Sequence, residues 1–469
     1  MIDLNAMRLE QKIAQMLVSF RFGNNELSDL MLEHDWGGIH LSIWDYTDIS
    51  GSRAMIDEFQ RRSRIPLIIS SDTETGAGQL TNQDVTQLPC LMAISATGDA
   101  ELSYRAGRVT GMEAASLGMN ASYTPVVDVN TNPNNPSTNT RSFGDRADHV
   151  GTFAEQLIRG QSETGLASTA KHFPGQGAQD LNSHHGLEVV DVSRQEMEQV
   201  HLAPFRRAIA AGVPMVMTNH AIYNAYDRQL PATLSKRIVT DLLRSEMGFG
   251  GLIVTDCLEM RSVKDHWSTK DAAVLSVLAG NDIVLTNSDP LDTYHGLVEA
   301  VREGRIAEAR IDDSVRRILA FKQSWHIMQW QDRGRTELDF VAHRRLADEI
   351  AERSVTLVKD GGVLPLVASE DLDVLVIEPA VEDMVKFGVH IQQATLAEPL
   401  SRAGLSTHLI EVPFEVGAEA CHHAAQKAKS CAAVVILVDF RNTTGQCQRL
   451  SEGQQSLCRT ICEANSRVV

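Results

Sequence analysis

Residues 251–260 read GLIVTDCLEM, a short apolar run that ends in an acid. The apolar residues are consecutive rather than alternating, which is typical of a parallel strand covered by helices on both faces. Asp256 follows the run directly. An acid at the end of a buried strand costs desolvation energy, and this cost favours a functional role for the residue. Its structural alternative is to cap the helix that follows. The stretch therefore predicts a buried parallel strand whose carboxyl end carries a polar group.

Seven more runs of this kind are spread along the chain up to residue 286. In chain order they are QMLVSF at 15–20, GGIHLSI at 37–43, PLIISSD at 66–72, NASYTPVVDV at 120–129, LASTAKHF at 166–173, PMVMTNH at 214–220 and NDIVLT at 281–286. Helix-like segments lie between them, and several end at glycine, a common C-terminal signal of helices. Eight successive strand-then-helix units predict the α/β class and a (β/α)8 TIM-type barrel.

The last part of the chain shows a second strand pattern. Its runs with strand character are LDVLVIEP at 372–379, STHLIEV at 406–412 and CAAVVILVDF at 431–440. With helical stretches between them, they predict a smaller α/β/α sandwich domain with an open parallel sheet. Because ANSRVV at 464–469 begins another strand-like run, we expect the domain to be partial, or its sheet to be completed in some other way. The predicted domains are a catalytic barrel at 1–330, a connector at 331–352 and the partial sandwich at 353–469.

The composition excludes several kinds of partner. The 469 residues carry a formal net charge of −18, which would repel the phosphates of nucleic acid. The opening MIDLNAMRLEQKIAQMLVSF lacks a basic segment followed by an unbroken apolar core, so it predicts neither a signal peptide nor a membrane span. Seven cysteines, an odd number without a CxxC pair, indicate neither a disulfide framework nor a metal site. We therefore expect a protein of the reducing cytoplasm.

Candidate functional residues stand at or just after the predicted barrel strands, where the active sites of such barrels lie. They are Asp72, Asp128, Arg141, Lys171, His172, Met217, His220, Asp256 and Asn287. Some have structural alternatives, because Asp72 and Asp128 suit turns and His220 suits the barrel interior. Neither a Gly-rich phosphate loop nor an HExxH motif accompanies them, so we predict no nucleotide, metal or other cofactor. A cationic pair, a carboxylate and a loop histidine suit glycosyl transfer.

The stretch KHFPGQGAQDLNSHHG at 171–186 predicts a loop that takes part in the chemistry. Gly and Pro interrupt it, it has no regular hydrophobic period, and polar groups crowd it. Lys171 directly before His172 on an otherwise apolar strand indicates function rather than structure. His185 is interpreted as a solvated or structural residue.

At these positions the chain resembles glycoside hydrolase family 3, and within it the β-N-acetylhexosaminidase branch. The resemblance covers essentially the whole chain. The stretches that carry it are YTPVVDVNTNP at 123–133, RSFGD at 141–145, AKHFPGQG at 170–177, SHHGL at 183–187, VPMVMTNHAIY at 213–223, LPATLSKRIVTDLLRSEMGFGGLIVTDCLEM at 230–260 and RSVTLVKDGGVLPL at 353–366.

The resemblance implies a retaining mechanism with a covalent glycosyl-enzyme. The nucleophile of the family falls on Asp256, and the acid/base of the branch, a histidine on the loop after strand 5, falls on His184. The predicted substrate-binding residues are Asp72, Arg141, Lys171, His172, Met217 and His220. A loop suits the acid/base because product must leave before the acid serves as base.

Two departures from the pattern of the branch stand out. The branch usually has Asp-Ser-His, in which the Asp orients the His, whereas this chain has Asn182 before Ser183 and His184. An amide brings no charge, so it would not raise the His pKa, and Asp180 is a possible substitute. The branch commonly has Asp-Gln-Glu-Gly-Gly-Arg after strand 3, whereas this chain reads DTETGAG at 72–78, with Ala77 at the arginine position.

Three functions are compatible with these residues. The first is a β-N-acetylhexosaminidase that releases terminal N-acetyl-β-D-glucosamine from glycans or from peptidoglycan fragments during cell-wall recycling. The second is a β-glucosidase or a broad-specificity family 3 glycosidase, which Ala77 favours. The third is a non-catalytic sugar-binding relative, suggested by Asn182, Ala77 and the partial second domain. Each predicts a carbohydrate partner, with neither nucleic acid nor membrane involved.

Overall fold

The computed structural model describes residues 2–81, 84–287, 290–332, 337–367, 372–380, 395–413, 415–438 and 450–469. The chain divides into two compact units, Met1–Val355 and Thr356–Val469. The predicted connector at 331–352 contains most of the helix Phe340–Ser354. Leu346 and Ile350 of that helix are buried in a hydrophobic cluster of the first unit. The first unit therefore extends further along the chain than the predicted barrel.

Eight parallel strands form the centre of the first unit. They are β1 Leu17–Phe20, β2 Gly38–His40, β3 Ile68–Ser71, β4 Ala121–Ser122, β5 Thr169–Phe173, β6 Met215–Thr218, β7 Leu252–Thr255 and β8 Val284–Thr286. Each lies within one of the eight apolar runs of the sequence. All are almost completely buried, which is why their side chains are apolar on both faces.

The strands close into a ring. One sheet has the order β8-β1-β2-β3-β4 and another has the order β5-β6-β7. Parallel bridges join the two sheets at Ala121 with Ala167 and at Val254 with Ile283. The predicted TIM-type barrel is thereby confirmed. Because every strand runs in the same direction, all eight carboxyl ends open at one mouth.

Helices surround the strands. The longer ones are Leu9–Gln15, Asn25–Glu33, Ile49–Arg62, Leu91–Ala96, Ala100–Leu117, Ala147–Glu163, Leu202–Ala210, Thr269–Ala279, Pro290–Arg302, Glu308–Ser324 and Phe340–Ser354. Short helical turns are Leu4–Ala6, Ala77–Gln79, Asn139–Arg141, Arg194–Glu196, Ala232–Leu234, Arg261–Lys264 and Ile327–Asp332, and π-type turns are Met197–His201 and Arg237–Glu246.

Two of these helices approach each other unusually closely. A Cβ atom on Gly107 of Ala100–Leu117 would lie 2.4 Å from the carbonyl oxygen of Leu157, and one on Gly160 would lie 2.2 Å from the carbonyl oxygen of Tyr104. Only glycine fits at both positions. Along the chain these helices directly precede β4 and β5, the strands that lead into the candidate site.

The second unit contains a three-stranded parallel sheet with its own core. Its strands are β9 Asp373–Pro379, β10 Ser406–Val412 and β11 Ala433–Ile436, in the order β10-β9-β11. Val468 forms a parallel bridge with Val434, so the run at 464–469 does add to the sheet. The described helices of this unit are Ala397–Arg402, Ala418–Ala428 and Glu452–Ala464. The end of the predicted run 431–440 lies outside the described residues.

A buried lysine joins the helices Leu9–Gln15 and Glu308–Ser324. Lys322 is completely buried, and its Nζ donates to the Oε1 of Gln15 at 2.9 Å. Burial lowers the pKa of Lys322 to about 7. In the unfolded chain the same amine has a pKa of about 10.4. Between these values the unfolded chain binds more protons, so the free energy of unfolding rises with pH.

We expect Lys322→Met to remove this dependence. Between pH 7 and pH 9 the free energy of unfolding of the wild type should rise relative to that of the variant by up to about 1.4 kcal/mol per pH unit. The melting temperature of the wild type should rise relative to the variant accordingly. Thermal unfolding of both proteins at pH 7, 8 and 9 measures it. Lys264→Met, at an exposed lysine, is the control. Parallel curves for wild type and Lys322→Met would contradict the prediction.

Candidate active site

The predicted site residues gather at the mouth of the barrel. Asp72 follows β3, Lys171 and His172 lie in β5, His220 follows β6 and Asp256 follows β7. Arg141 ends the short helical turn Asn139–Arg141 in the long connection after β4. Parallel strands bring these residues together although they are far apart in the sequence.

A cluster of ion pairs occupies one side of the mouth. The Nζ of Lys171 lies 2.6 Å from Oδ1 of Asp72 and 2.8 Å from Oε1 of Glu74. Arg141 donates to both carboxylate oxygens of Glu74, at 2.6 and 2.8 Å. Glu74 therefore holds two cations at once, and the Arg141 contact has the strong two-point geometry. We call these four residues the ion-pair cluster.

Each charge in the cluster supports the others. Burial disfavours the cation of Lys171, but Asp72 and Glu74 outweigh it and raise the pKa of the lysine. Burial likewise opposes the charge of Glu74, yet Arg141 and Lys171 hold the pKa of its carboxyl well below its usual range. Asp72 differs because 40% of its side chain is exposed, against 10% for Glu74. Asp72 is thus the carboxylate of the cluster that a ligand can reach.

His172 is fixed by a buried carboxylate. Its Nδ1 lies 2.8 Å from Oδ2 of Asp128, whose side chain is inaccessible to solvent. Because a carboxylate only accepts, Nδ1 is the donor and Nε2 points away from the pair. Asp128 also accepts from the backbone N–H of His172 and of Gln176. Asp128, a candidate strand-end acid in the sequence, thus orients the histidine rather than facing a ligand.

Asp256 lies half-buried next to several imidazoles. Its backbone N–H donates to the carbonyl of Thr218, and its Oδ1 accepts from the N–H of Cys257 at 2.8 Å. Burial opposes ionisation, but the histidines at 220, 172 and 184 and the N–H of Cys257 lower the pKa of Asp256. The carboxylate therefore stays charged at neutral pH. A charged, partly exposed carboxylate at a strand end is suited to attack an electrophilic carbon.

The two residues at β6 have different surroundings. The Nε2 of His220 donates to the carbonyl of Cys257 at 2.9 Å, and its buried Nδ1 lacks a hydrogen-bond partner among the described residues. Burial lowers the pKa of His220, which leaves the ring neutral and Nδ1 an acceptor. Met217 is buried in the hydrophobic cluster inside the barrel. His220 thus keeps a buried acceptor, Nδ1, without a hydrogen-bond partner among the described residues, whereas Met217 has apolar neighbours.

His184 lies exposed on the loop after β5. The loop is tied to the helical turn Arg261–Lys264 that follows β7, because the carbonyl of Ser183 accepts from the N–H of Ser262 at 3.1 Å. Neighbouring protein atoms partly desolvate the ring and lower the pKa of His184, and the charge of Asp256 opposes that shift. The two side chains are therefore close enough to interact electrostatically.

Neither predicted partner of His184 contacts its ring. Oδ1 of Asn182 accepts from the backbone N–H of His184 at 2.9 Å, and Oδ1 of Asp180 accepts from the side chain of Asn132 at 2.7 Å. Glu188 accepts from the N–H groups of Asp180 and Leu181. Asn182 and Asp180 therefore shape the loop, and within the described chain the ring has the charge of Asp256 as its main electrostatic partner.

Residues 8–321 match the family description "Glycosyl hydrolase family 3 N terminal domain". The chain belongs to glycosyl hydrolase family 3. The match covers the barrel, including every residue of the ion-pair cluster and both predicted catalytic residues. The family resemblance read from the sequence is thereby confirmed.

Several known members are similar to this family 3 chain. A protein of Cellulomonas fimi named "Beta-N-acetylglucosaminidase/beta-glucosidase" is 33% identical over 426 residues, which are 87% of this chain and 73% of that protein. "Beta-hexosaminidase A" of Pseudoalteromonas piscicida is 33% identical over 73% of this chain and 62% of its own length. The solved family 3 β-N-acetylglucosaminidase of Paenibacillus sp. str. FPU-7 superimposes with a TM-score of 0.90 at 31% identity, covering 99% of this chain and 90% of that one.

Sequence reasoning missed two members of this family 3 site. Glu74 stands in the stretch 72–78, for which the sequence pattern singled out only Asp72 and Ala77, and Ala77 is completely buried in the barrel core. His40 at the end of β2 lies with its Nε2 3.8 Å from Oδ2 of Asp72. Burial lowers its pKa to about 4, so the ring is neutral. The sequence did contain a signal for both residues, because Glu74 follows one predicted barrel strand and His40 lies in another, near the end at which active-site residues gather.

Among the described ranges, groups of His, Cys, Asp or Glu that could hold a metal ion do not occur. The helices that the structure describes are all too short or too polar to cross a membrane.

We expect the two carboxylates of the ion-pair cluster to respond differently to neutralisation. Glu74→Gln removes the carboxylate that Arg141 and Lys171 share and leaves these two cations without its charge. The substitution should therefore lower the free energy of unfolding by about 3 kcal/mol or more. Asp72→Asn removes an accessible carboxylate and should change stability by about 1 kcal/mol or less. Denaturant unfolding measures both. Equal losses of stability would show that Glu74 is not the centre of the cluster.

Proposed function

We propose that this protein is a retaining β-glycosidase that releases terminal N-acetyl-β-D-glucosamine from glycans through a covalent glycosyl-enzyme. The observation that carries the proposal is the Asp256 carboxylate, kept charged by neighbouring imidazoles at the same mouth as the ion-pair cluster. The names of the Cellulomonas and Paenibacillus relatives support the 2-acetamido sugar.

In the first step a carboxylate oxygen of Asp256 attacks the anomeric carbon of the terminal sugar. The bond from that carbon to the glycosidic oxygen breaks, and the oxygen takes a proton from the His184 imidazolium. An ester now joins Asp256 to the sugar. In the second step water attacks the anomeric carbon, gives a proton to neutral His184 and frees the carboxylate. Two displacements at one carbon leave the β configuration unchanged.

The change of charge on Asp256 assists the change of role of His184. Before the reaction the carboxylate favours the imidazolium, which is the acid that the first step needs. Desolvation of the ring already outweighs this effect and lowers the pKa of His184, and once the ester forms the opposing negative charge is gone as well. The pKa of His184 then falls, so the ring loses its proton readily and can act as the base.

The ion-pair cluster and His172 hold the sugar. The accessible Asp72 can accept from sugar hydroxyls, while its ion pair with Lys171 holds it in place. Nε2 of His172 is free of its carboxylate partner and faces away from it. Hydrogen bonds to sugar hydroxyls that strengthen at the transition state contribute to catalysis. Arg141 supports this group through Glu74.

A β-glucosidase is the second candidate function. Its support is Ala77, which fills the core where the related branch carries an arginine, and the double name of the Cellulomonas relative. A pocket without that donor has less reason to prefer an acetamido group to a hydroxyl. Peptidoglycan fragments as substrates are part of the first proposal and rest on the sequence resemblance, whereas a cytoplasmic location rests on the cysteine content of the chain.

We expect the aryl N-acetyl-β-glucosaminide to be hydrolysed with a higher kcat/KM than the aryl β-glucoside. Asp256→Asn should lower the turnover of both by about 10⁴-fold or more, because an amide cannot form the ester. A fluorinated glycosyl fluoride that keeps the acetamido group should add one sugar mass to the Asp256 peptide of the wild type. A reversed substrate ratio would select the β-glucosidase, and a label on another residue would reject Asp256 as the nucleophile.

We expect the loop substitutions to act through the charge next to His184. His184→Ala should slow glycosides with poor leaving groups far more than activated aryl glycosides at the first step, because only the former need a proton. Asn182→Asp places a carboxylate beside His184, should raise the pKa of the ring and should move the basic limb of the pH profile of kcat/KM upward. Asp180→Asn is the matched control, since Asp180 contacts Asn132. An unmoved limb in Asn182→Asp would contradict this account of the loop.

A further inference from the structure

A single carboxylate closes the loop that carries His184. Oε1 of Glu188 accepts from the backbone N–H of Asp180 at 2.6 Å, and Oε2 accepts from that of Leu181 at 2.9 Å. One side chain thereby joins the two ends of the segment, as in compact surface loops whose ends lie close together. His184 stands midway along the segment, four residues from each end. We call residues 180–188 the His184 loop.

Both ends of the His184 loop are attached to other segments of the barrel. At its start, the side chain of Asn132 donates to Oδ1 of Asp180 at 2.7 Å. After its end, Val189–Val190 pairs in parallel with Ile222–Tyr223, and the carbonyl of Glu188 accepts from the first N–H of that partner at 2.9 Å. Glu188 therefore holds the start of the loop from a segment that is itself fixed.

The middle of the His184 loop is more exposed than its ends are anchored. Leu181, His184 and His185 are all exposed. Asn182 is buried, and it accepts from the N–H groups of His184 and His185 inside the loop. Hydrogen bonds of this kind shape the loop without attaching it to the barrel. The position of the His184 ring therefore depends on how the ends of the loop are held.

The two N–H donors stabilise a charge that its surroundings disfavour. Partial burial raises the pKa of Glu188, the N–H groups of Asp180 and Leu181 oppose that shift, and the charge of Asp180 adds to it. Hydrogen bonds to a charged acceptor are about twice as strong as neutral ones. The closure of the loop by Glu188 is therefore a strong one.

We propose that Glu188 is a positioning residue for His184: by closing the loop, it holds the imidazole where it can protonate the glycosidic oxygen. The inference rests on the proposed function and adds to it a residue that acts on the acid/base without touching the sugar. Glu188 acts through the backbone of Asp180 and Leu181. An error of about 1 Å in the placement of a catalytic group can cost about 100-fold in rate, so loss of this closure should be measurable.

The test uses two glycosides that differ in their need for a proton. Methyl N-acetyl-β-glucosaminide has a poor leaving group, and the 4-nitrophenyl glycoside has an activated one. Glu188→Ala should lower kcat/KM on the methyl glycoside about tenfold and on the nitrophenyl glycoside by less than about twofold, because only the former needs His184 as an acid. Glu188→Gln keeps one acceptor oxygen, so its loss on the methyl glycoside should be smaller than that of Glu188→Ala.

Asp227→Asn is the matched control. Asp227 also accepts from two backbone N–H groups, those of Gln229 and Leu230, but on the loop after β6. The control should leave the ratio of the two kcat/KM values unchanged even where it lowers stability. Equal losses of Glu188→Ala on both glycosides, or no loss on either, would overturn the proposal.

A double variant separates positioning from a general effect on the fold. If Glu188 acts through His184, adding Glu188→Ala to His184→Ala should lower kcat/KM on the methyl glycoside no further than His184→Ala does alone. A further loss of about tenfold would show that the two residues act independently, and the proposal would then be rejected.

The inference and the proposed function can fail separately. If the wild type hydrolyses neither glycoside, the proposed function fails. Amide hydrogen exchange in the wild type and in Glu188→Gln then decides whether Glu188 closes the His184 loop. Exchange about tenfold faster at residues 180–188 of the variant, with the helix Ala100–Leu117 unchanged, supports the closure, and equal exchange rejects it.

Discussion

The arrangement of the barrel mouth depends on one buried carboxylate that neutralises two buried cations. Glu74 comes after β3, Arg141 after β4, and Lys171 lies in β5, so the contacts of Glu74 fix three consecutive segments relative to one another. Charges this deeply buried are tolerated only when they are paired. Removing the shared carboxylate would leave both cations uncompensated. The cluster thereby fixes one side of the barrel mouth.

The chemistry depends on a second electrostatic balance, between Asp256 and the imidazoles around it. Burial alone would raise the pKa of the acid and reduce the fraction that is ionised, but the surrounding histidines and a backbone N–H compensate. His172 is oriented by Asp128, and His220 by the carbonyl of Cys257. Oriented dipoles and charges of this kind act on the carboxylate without reorganising during the reaction.

The barrel was predictable because its signal is local and repeated. Eight apolar runs with helix-like segments between them have few other ways to bury their side chains, and the polar residues at their ends follow from the parallel arrangement. Glu74 was missed because a sequence does not show which acid meets two cations. Asn182 was correctly placed on the loop, but its amide binds the backbone of His184 rather than the ring.

The sequence by itself determined the fold, the family and the strand ends at which the functional residues lie. These properties depend on residue order and on hydrophobic pattern, both of which are local. Only the tertiary structure decided which charges are paired. It joined Glu74 to Arg141 and Lys171, Asp128 to His172, and Asp45 to Arg21, over separations of 67, 97, 44 and 24 residues. Partners so far apart are chosen by the closure of the barrel, which no local pattern encodes.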